Sequence, residues 1–308
     1  MQTTPQHVFV RVPATTANLG CGFDILGLAL QWYNAFTLSL TPEPGWHITL
    51  PAGVDVPRHA DNLVCQAVHR LFARVGFTPP GLHLSLAIDI PLARGLGSSA
   101  TAVVGGLLAA NHLAGSPLDR EALLAMAIEI EGHPDNVTPA LVGGLTLSYA
   151  TDTQHHYLSL PFPSDLTLVV AIPAFELSTA HARAVLPTHV SRADAIFNCS
   201  RTALLVYALH HQRYDLLATA MDDRLHQPYR AALVPGMVDA IAAAYATGAL
   251  GVALSGAGPT VLAIAQDPTE AIATALHDAF ARHGIVCQTR TLQADTGGAI
   301  VASTAPST

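Results

Sequence analysis

The most constraining feature of the chain is a turn with two glycines, at residues 91–100, between a predicted strand and a predicted helix. Residues 82–88 alternate apolar and polar side chains, which predicts a half-buried strand. Residues 100–114 form an apolar, alanine-rich run that ends at Gly115, which predicts a helix. A helix N-terminus has unpaired N–H groups and the positive end of the helix dipole, so this turn can hold a phosphate without a cationic side chain. We call residues 91–100 the anion loop.

Two serines and two glycines of the anion loop carry this prediction. Ser98 and Ser99 fall at the start of the helix, and Gly95 and Gly97 are expected to let the backbone approach a ligand closely. The alternative is a strand-to-helix turn that binds nothing. The G-x-G-x-x-A spacing also fits a dinucleotide-binding unit, but that unit needs an acid at the end of the next strand, whereas Asp119 begins a helix.

Composition limits the chemistry of the chain. All 14 basic residues are Arg, and there is no Lys. This excludes a Walker-A loop, the strand lysine of protein kinases and Schiff-base chemistry, so phosphate chemistry must use backbone amides, Arg and a metal ion. The net charge of -8, with no basic cluster, argues against nucleic acid or an anionic membrane surface as the main partner.

Cysteine usage and the polar N-terminus bear on cellular location. The four cysteines show neither a C-x-x-C pair nor zinc-ligand spacing. Residues 1–7 are polar, and no apolar run is long enough to span a membrane. We therefore expect no signal peptide, no membrane segment and a cytoplasmic protein.

The length of 308 residues, half of them apolar, allows two domains with a sizeable core. Residues 150–165 are polar and contain prolines, so we place a boundary near residue 160. This predicts domains over 1–160 and 161–308. Both parts contain predicted strands and helices, so the pattern alone indicates a mixed α and β protein.

Local signals predict where three elements begin or end. Residues 8–12 predict an opening strand that Pro13 ends. Asp61 is expected to cap a helix over 62–75. The run S-P-L-D at 116–119 offers a serine cap, a proline at the first helical position and an acid three residues on, which predicts a helix that starts there.

Glu131 lies on the apolar face of this helix and near its C-terminus, where a carboxylate opposes the helix dipole. A Mg²⁺ that bridges nucleotide phosphates would supply the missing cation, since it commonly binds one or two carboxylates as well as phosphate oxygens. The alternative is a solvated side chain at a frayed helix end.

The residues that follow Glu131 include His133, Asp135 and Asn136. They do not have the spacing of zinc ligands, and helix capping is the alternative role for Asp135.

Three separated motifs together resemble the GHMP kinases. They are R-V-P-A-T-T-A-N-L-G at 11–20, the anion loop, and S-G-A-G-P-T at 255–260, which taken alone could be an ordinary hairpin turn. The continuation to G-F-D at 22–24 and the run E-G-H-P-D-N at 131–136 resemble the branch of the superfamily that acts on L-homoserine. The resemblance implies ATP-dependent phosphorylation of the side-chain hydroxyl of this amino acid.

The resemblance also implies a fold and partners. The fold is α+β, with an N-terminal α/β domain that contains a left-handed βαβ unit, a C-terminal ferredoxin-like domain, and the site in the cleft between them. The expected partners are L-homoserine and MgATP, without nucleic acid or membrane, and a homodimer is an open alternative to the monomer. Two alternative hypotheses are a GHMP kinase with a mevalonate-like or sugar substrate, and a non-catalytic member of the fold that only binds nucleotide.

The resemblance assigns roles to particular residues. Nucleotide phosphates are placed against Pro91, Arg94, Gly95, Leu96, Gly97, Ser98, Ser99 and Ala100, with Asn62 near the adenosine. Mg²⁺ is placed on Ser99 and Glu131, with Glu129 as the alternative acid. The amino acid is placed among Asn18, Asp24, His133, Asp135, Arg183, Arg230 and Gly256. Acids suit its ammonium group, and the forked guanidinium groups of Arg183 and Arg230 suit its carboxylate.

The expected catalytic residues are Asn136, Glu131, Ser99 and His133. Some relatives pair an Asp with a Lys at the reacting end, and Asn136 stands at the matching position of this chain. No general base is evident, so positioning and charge stabilisation are expected to dominate. Proton transfer to His133 is the alternative.

Overall fold

The computed structural model of the chain describes residues 7–53, 56–152 and 154–302; residues 1–6 of the polar N-terminus lie outside them. In chain order the strands are β1 (His7–Ala17), β2 (Leu26–Thr41), β3 (Gly45–Thr49), β4 (Gly81–Ala87), β5 (Leu145–Ala150), β6 (His155–Leu160), β7 (Thr167–Pro173), β8 (Gly251–Leu254), β9 (Val261–Ala265), β10 (Cys287–Leu292) and β11 (Ile300–Ala302). The helices are α1 (Leu63–Val75), α2 (Ser98–Leu113), α3 (Arg120–Glu131), α4 (Pro134–Val142), α5 (Thr179–Ala184), α6 (Arg192–His210), α7 (Leu217–Ala220), α8 (Gln227–Arg230), α9 (Met237–Ala246) and α10 (Glu270–Arg282).

The first sheet has the strand order β11-β1-β2-β4-β3, and β5 and β6 extend it from β2. β3 and β4 are parallel neighbours joined through α1, so they form a βαβ unit. α2 packs on β1 and β2, and α1 packs on α2. This arrangement directs the N-terminus of α2 toward the end of the sheet where β1 continues into its loop.

The predicted end of β1 at Pro13 is wrong, since the strand continues to Ala17. The pairing with β2 shifts register between Pro13 and Ala14, which is a β-bulge. A bulge tolerates proline because no ladder hydrogen bond is required from the missing N–H group. The strand thereby carries the first motif up to Asn18, at the edge of the site.

Two predicted helix caps are wrong by one and three residues. The cap of α1 is Asn62 rather than Asp61, since the Asn62 side chain accepts a hydrogen bond from Val64 N–H at 3.0 Å. The cap of α3 is Asp119 rather than Ser116, and its carboxylate accepts from Ala122 N–H at 2.8 Å. In both places another residue with a strong capping preference lies close by, and sequence alone did not rank the two.

The second sheet is antiparallel, with the strand order β10-β7-β9-β8. The chain runs from β7 through helices to β8 and β9, and then through α10 to β10. A βαββαβ chain with this strand order has the ferredoxin-like topology, which confirms that expectation. The proposed division near residue 160 lies between β6 and β7, but β11 returns to pair with β1.

Apolar side chains from both sheets form one shared core. It includes Leu28 and Leu30 of β2, Leu168 and Val170 of β7, and Ile264 of β9, all buried. Because this core joins the sheets directly, the elements that end at the cleft are held in fixed relative positions. Within the described residues, no helix is both long enough and apolar enough to cross a membrane.

Candidate active site

A cavity of about 210 Å³ lies where the three motifs meet. Its lining from the N-terminal part of the chain is Asn18, Phe23, Asp24, Ala93, Arg94, Gly95, Gly97, Ser98, Ser99, Glu131, His133, Asp135 and Asn136. Its lining from the C-terminal part is Leu177, Ser178, Thr179, Arg183, Arg230, Gly256 and Ala257. The structure therefore brings the expected amino-acid-binding residues together with the expected metal-binding and catalytic residues.

The anion loop presents the N-terminus of α2 to this cavity. The backbone turns at Gly95 and Gly97, whose φ angles are +73° and +66°, and α2 begins at Ser98. The amides that open a helix have no intrahelical acceptor, so they are available to an anion. Ser98 is buried with its hydroxyl 3.4 Å from the Ile90 carbonyl, whereas Ser99 is exposed, so Ser99 supplies the accessible hydroxyl.

The two glycines of the anion loop lie where the three motifs touch one another. A Cβ atom at Gly95 would overlap the carbonyl oxygen of Ser255, and one at Gly97 would overlap the hydroxyl of Thr15. The Ser255 hydroxyl also donates to the Gly95 carbonyl at 2.6 Å. The glycines are therefore required for contact between the motifs and for the positive φ angles, and the close approach of a ligand to this backbone stays a prediction.

Ser99 and Glu131 face each other across the mouth of the cavity. Glu131 is the last residue of α3, and the Ser99 hydroxyl donates to its Oε1 at 2.5 Å. Glu129 instead lines a separate surface groove with Tyr149 and His156. Of the two acids, Glu131 is therefore the one that lines the cavity beside Ser99. No described group of three or more His, Cys, Asp or Glu could hold a metal ion alone.

His133, Asp135 and Asn136 lie at the junction of α3 and α4. His133 Nδ1 is 2.6 Å from Asp135 Oδ1, and Asn136 Oδ1 accepts from the Thr15 hydroxyl at 2.7 Å. Burial alone would lower the pKa of His133, but the hydrogen bond to Asp135 and the charges of Asp135 and Glu131 outweigh it and raise that pKa. The raised pKa favours the protonated ring of His133, which cannot accept a further proton.

Asp24 and Arg183 bind each other at the other end of the cavity. Two hydrogen bonds join them, at 3.0 Å and 2.5 Å, which is a bidentate pair. The hydrogen bond to Asp24 raises the pKa of Arg183. Asn18, in left-handed backbone with φ +71°, positions Asp24 by accepting from its N–H at 3.1 Å. Asp24 and Arg183 reach the site as an ion pair rather than as two separate charges.

Arg230 is a buried cation that forms no salt bridge with an acid among the described residues. Its side chain is only 1% exposed, and it donates to the carbonyls of Ala182 and Gly256, each at 3.0 Å. A third contact, at 3.2 Å, is with Nδ1 of His226. Burial and the nearby charge of Arg183 lower the pKa of Arg230 to about 10. Since buried charges are normally paired, this arrangement favours binding of an anionic group in the cavity.

A second, mostly apolar cavity of about 310 Å³ adjoins the first, and Ser98 and Ser99 line both. Asn62 lines this cavity while its side chain caps α1 and donates to the Pro57 carbonyl at 3.0 Å. Among the expected nucleotide-binding residues, Pro91, Leu96 and Ala100 line neither cavity. Leu96 and Ala100 are buried in the core, so their side chains support the anion loop from behind.

The chain is similar in sequence and in fold to known GHMP kinases. Residues 62–144 match the model of the GHMP kinase N-terminal domain, and residues 205–282 match that of the GHMP kinase C-terminal domain. A homoserine kinase from Nostoc punctiforme is 47% identical over 295 residues, which cover 95% of this chain and 97% of the relative. The chain belongs to the homoserine kinase family of the GHMP kinases.

Two further members of the homoserine kinase family agree in sequence and in fold. The homoserine kinase of Trichormus variabilis is 48% identical over 295 residues, which cover 95% of this chain and 98% of that protein. The crystal structure of homoserine kinase from Cytophaga hutchinsonii matches with a TM-score of 0.88 at 31% identity, covering 98% of this chain and 99% of the other. The two-domain GHMP kinase fold is thereby confirmed.

The sequence interpretation missed several residues that shape the site in this member of the family. Thr15 lies within the first motif and orients Asn136, and its hydroxyl beside a run of small residues was the available signal. Phe23 lies between the two arginines, with its ring centroid 5.5 Å from Arg183 and 5.3 Å from Arg230. No local pattern predicts that contact, because the arginines come from the distant α5 and α8.

Proposed function

We propose that this chain transfers the γ-phosphoryl group of ATP to the side-chain hydroxyl of L-homoserine. The observation that carries the proposal is one cavity with two chemically distinct ends. A helix N-terminus with Ser99 and Glu131 forms one end, and Asp24, Arg183 and the buried Arg230 form the other. The curated relatives named homoserine kinase, at 47% and 48% identity, support this choice of acceptor.

The anion-loop end suits the triphosphate of ATP. The amides at the start of α2 can bind phosphate oxygens, and the adjoining apolar cavity beside Asn62 can accept the base. Ser99 and Glu131 supply one hydroxyl and one carboxylate, a donor set that fits a Mg²⁺ whose remaining ligands are phosphate oxygens and water. When bound there, Mg²⁺ would neutralise charge on the phosphates.

The other end suits a zwitterion. Arg230 can bind the carboxylate of homoserine, since its buried charge has no acidic partner among the described residues. Asp24 and Asp135 offer carboxylates to the ammonium group, and Arg183 can turn from Asp24 to share the substrate carboxylate. A mevalonate or sugar substrate carries no ammonium group, so these acids favour an amino acid.

Positioning accounts for the reaction better than proton abstraction does. Asn136 is fixed by the Thr15 hydroxyl, so its amide N–H₂ can orient the substrate hydroxyl for in-line attack on the γ-phosphorus. The raised pKa of His133 disfavours the neutral form that a general base requires. The oxygen of homoserine forms the new bond to phosphorus as the bond to the leaving ADP breaks, and the hydroxyl proton passes to an oxygen of the transferred phosphoryl group and then to solvent.

A coupled assay of ADP release tests the proposal. Purified protein with MgATP is offered homoserine, mevalonate, galactose and shikimate in parallel, and the phosphorylated product is identified by mass spectrometry. We expect turnover with homoserine and formation of O-phosphohomoserine. Absence of turnover with every acceptor would refute the kinase proposal, and preference for an acceptor that is not an amino acid would refute the choice of homoserine.

We further propose that the chain divides functionally near residue 160 and that the cavity lies between the two parts. The lining supports this, because residues before and after that point contribute to the same cavity.

We also propose a homodimer, which light scattering during size-exclusion chromatography tests. A mass close to the 32.1 kDa of one chain would refute it.

A further inference from the structure

His226 is completely buried beside Arg230 and does not line the cavity. Its Nδ1 atom lies 3.2 Å from Nη1 of Arg230, and its Nε2 atom lies 2.8 Å from the carbonyl oxygen of Gly20. Gly20 belongs to the first motif, whereas Arg230 ends α8. His226 therefore joins the loop that carries Asn18 and Asp24 to the buried arginine.

The two contacts determine the tautomer of His226. A guanidinium group can only donate, so Nδ1 must be the acceptor and carry no proton. The carbonyl of Gly20 can only accept, so the proton must be on Nε2. Burial lowers the pKa of His226, which agrees with a neutral ring. His226 is thus a neutral acceptor for the Arg230 cation.

The turn that holds His226 is itself fixed. Asp223 is buried, and its carboxylate accepts from the backbone N–H groups of Leu225, His226 and Gln227 at 2.9, 2.9 and 2.7 Å. The side chain of Asn198 on α6 adds a fourth hydrogen bond at 2.8 Å. Three donors of the turn and one of α6 satisfy this carboxylate, so Asp223 acts on Arg230 only through its more distant charge.

We propose that His226 is a positioning residue that holds Arg230 ready for the carboxylate of the substrate. An acid in place of His226 would pair with Arg230 and neutralise it, whereas an apolar residue would remove one of the two acceptors of Nη1 and leave the Gly256 carbonyl at 3.0 Å. A neutral acceptor orients the guanidinium group and leaves its charge for the ligand. This inference rests on the proposed homoserine kinase activity.

Three variants separate the two hydrogen bonds of His226. His226→Asn keeps an acceptor at the position of Nδ1 and loses the contact with Gly20. His226→Gln keeps a donor toward Gly20 and loses the acceptor for Arg230. His226→Phe keeps an aromatic ring and loses both contacts. His277→Phe, at an exposed histidine of α10, is the matched control for replacing an imidazole.

Steady-state kinetics with homoserine and with ATP measure the effect of each variant. A hydrogen bond to a charged group is worth about ten- to a hundredfold in affinity, so His226→Gln and His226→Phe should raise the KM for homoserine by about that factor. The KM for ATP should stay within about twofold of the wild-type value, and His226→Asn should restore most of the loss for homoserine. The control variant should match the wild type.

A substrate without a carboxylate provides an independent measurement. The kcat/KM of the wild type and of each variant is measured with 3-amino-1-propanol as the substrate. This compound is homoserine without its carboxylate. His226→Gln and His226→Phe should lose kcat/KM for homoserine but not for this analogue, because the analogue has no group for Arg230 to bind.

Each alternative result has a defined meaning. Equal losses for homoserine and ATP, no rescue by His226→Asn, or a normal homoserine KM in His226→Phe would overturn the inference. So would failure of both His226→Gln and His226→Phe to fold or to bind nucleotide, since His226 would then be needed for the fold alone. If the wild type does not phosphorylate homoserine, the proposed function fails instead.

Discussion

Replacement of Gly97 by alanine tests whether this glycine serves contact between the motifs. The new Cβ atom would overlap the Thr15 hydroxyl and lie 3.2 Å from Asn136 Oδ1, in backbone with φ +66°. The matched control is Gly115→Ala, where φ is +85° and no atom lies within 4 Å of the new Cβ. Both variants place alanine in left-handed backbone, and only one of them adds an overlap.

The expected cost follows from these two terms. Left-handed backbone costs an alanine about 1 kcal/mol, and overpacking a rigid site costs about 1–3 kcal/mol more. Gly97→Ala should therefore lower the free energy of unfolding by about 2–4 kcal/mol, against about 1 kcal/mol for Gly115→Ala. Equilibrium unfolding in urea measures both values. Gly97→Ala should also reduce kcat, because the displaced Thr15 no longer holds Asn136.

A double-mutant cycle locates the overlap. Thr15→Ala removes the hydroxyl that the new Cβ would meet, so Gly97→Ala should cost only about 1 kcal/mol in that background. The coupling energy should then be about 1–3 kcal/mol. Additive effects of the two substitutions, or equal costs for Gly97→Ala and Gly115→Ala, would refute the reasoning.

Three further predictions concern the site chemistry. Glu131→Gln should lower kcat by about a hundredfold and raise the Mg²⁺ concentration that gives half-maximal rate. Glu129→Gln should leave both quantities unchanged. Similar losses in both variants would contradict the assignment of Glu131 as the metal ligand. Arg230→Ala should raise the KM for homoserine far more than the KM for ATP, and equal increases would show that Arg230 does not bind the carboxylate. The pKa of His133 is raised above its ordinary 6.5, so its pairing with Asp135 stabilises the fold fully below that pH and is lost as pH rises through the raised value. Urea unfolding of wild type and His133→Gln should therefore differ more at about pH 5 than at about pH 9, and a constant difference would contradict the ion pair.

The phosphate end of the site was predictable from sequence because it depends on near neighbours in the chain. A glycine turn between a strand and a helix places Ser98 and Ser99 at a helix start whatever the rest of the fold does. Glu131 and Asn136 are likewise held by the short junction of α3 and α4. In each case the geometry depends on a few consecutive residues, so the local sequence pattern predicts it.

The amino-acid end was predictable only through the family resemblance. Asp24 and Arg183 are 159 positions apart in sequence, and their contact depends on how the two sheets pack. The ring of His226 lies over Phe23, with centroids 5.2 Å apart, for the same reason. α7 and α8 were missed as well, since each has four residues and is too short to show a helical period.

The return of β11 to β1 has a mechanical consequence. The chain passes between the sheets twice, at 161–166 and again at 293–299, so the second sheet is joined to the first by two separate connections. The second connection is also hydrogen-bonded to β2, with Asp295 N–H donating to the Ala29 carbonyl at 2.9 Å. These two connections and the shared apolar core together hold the second sheet against the first. The two ends of the site, which come from both sides of that core, therefore stay in register.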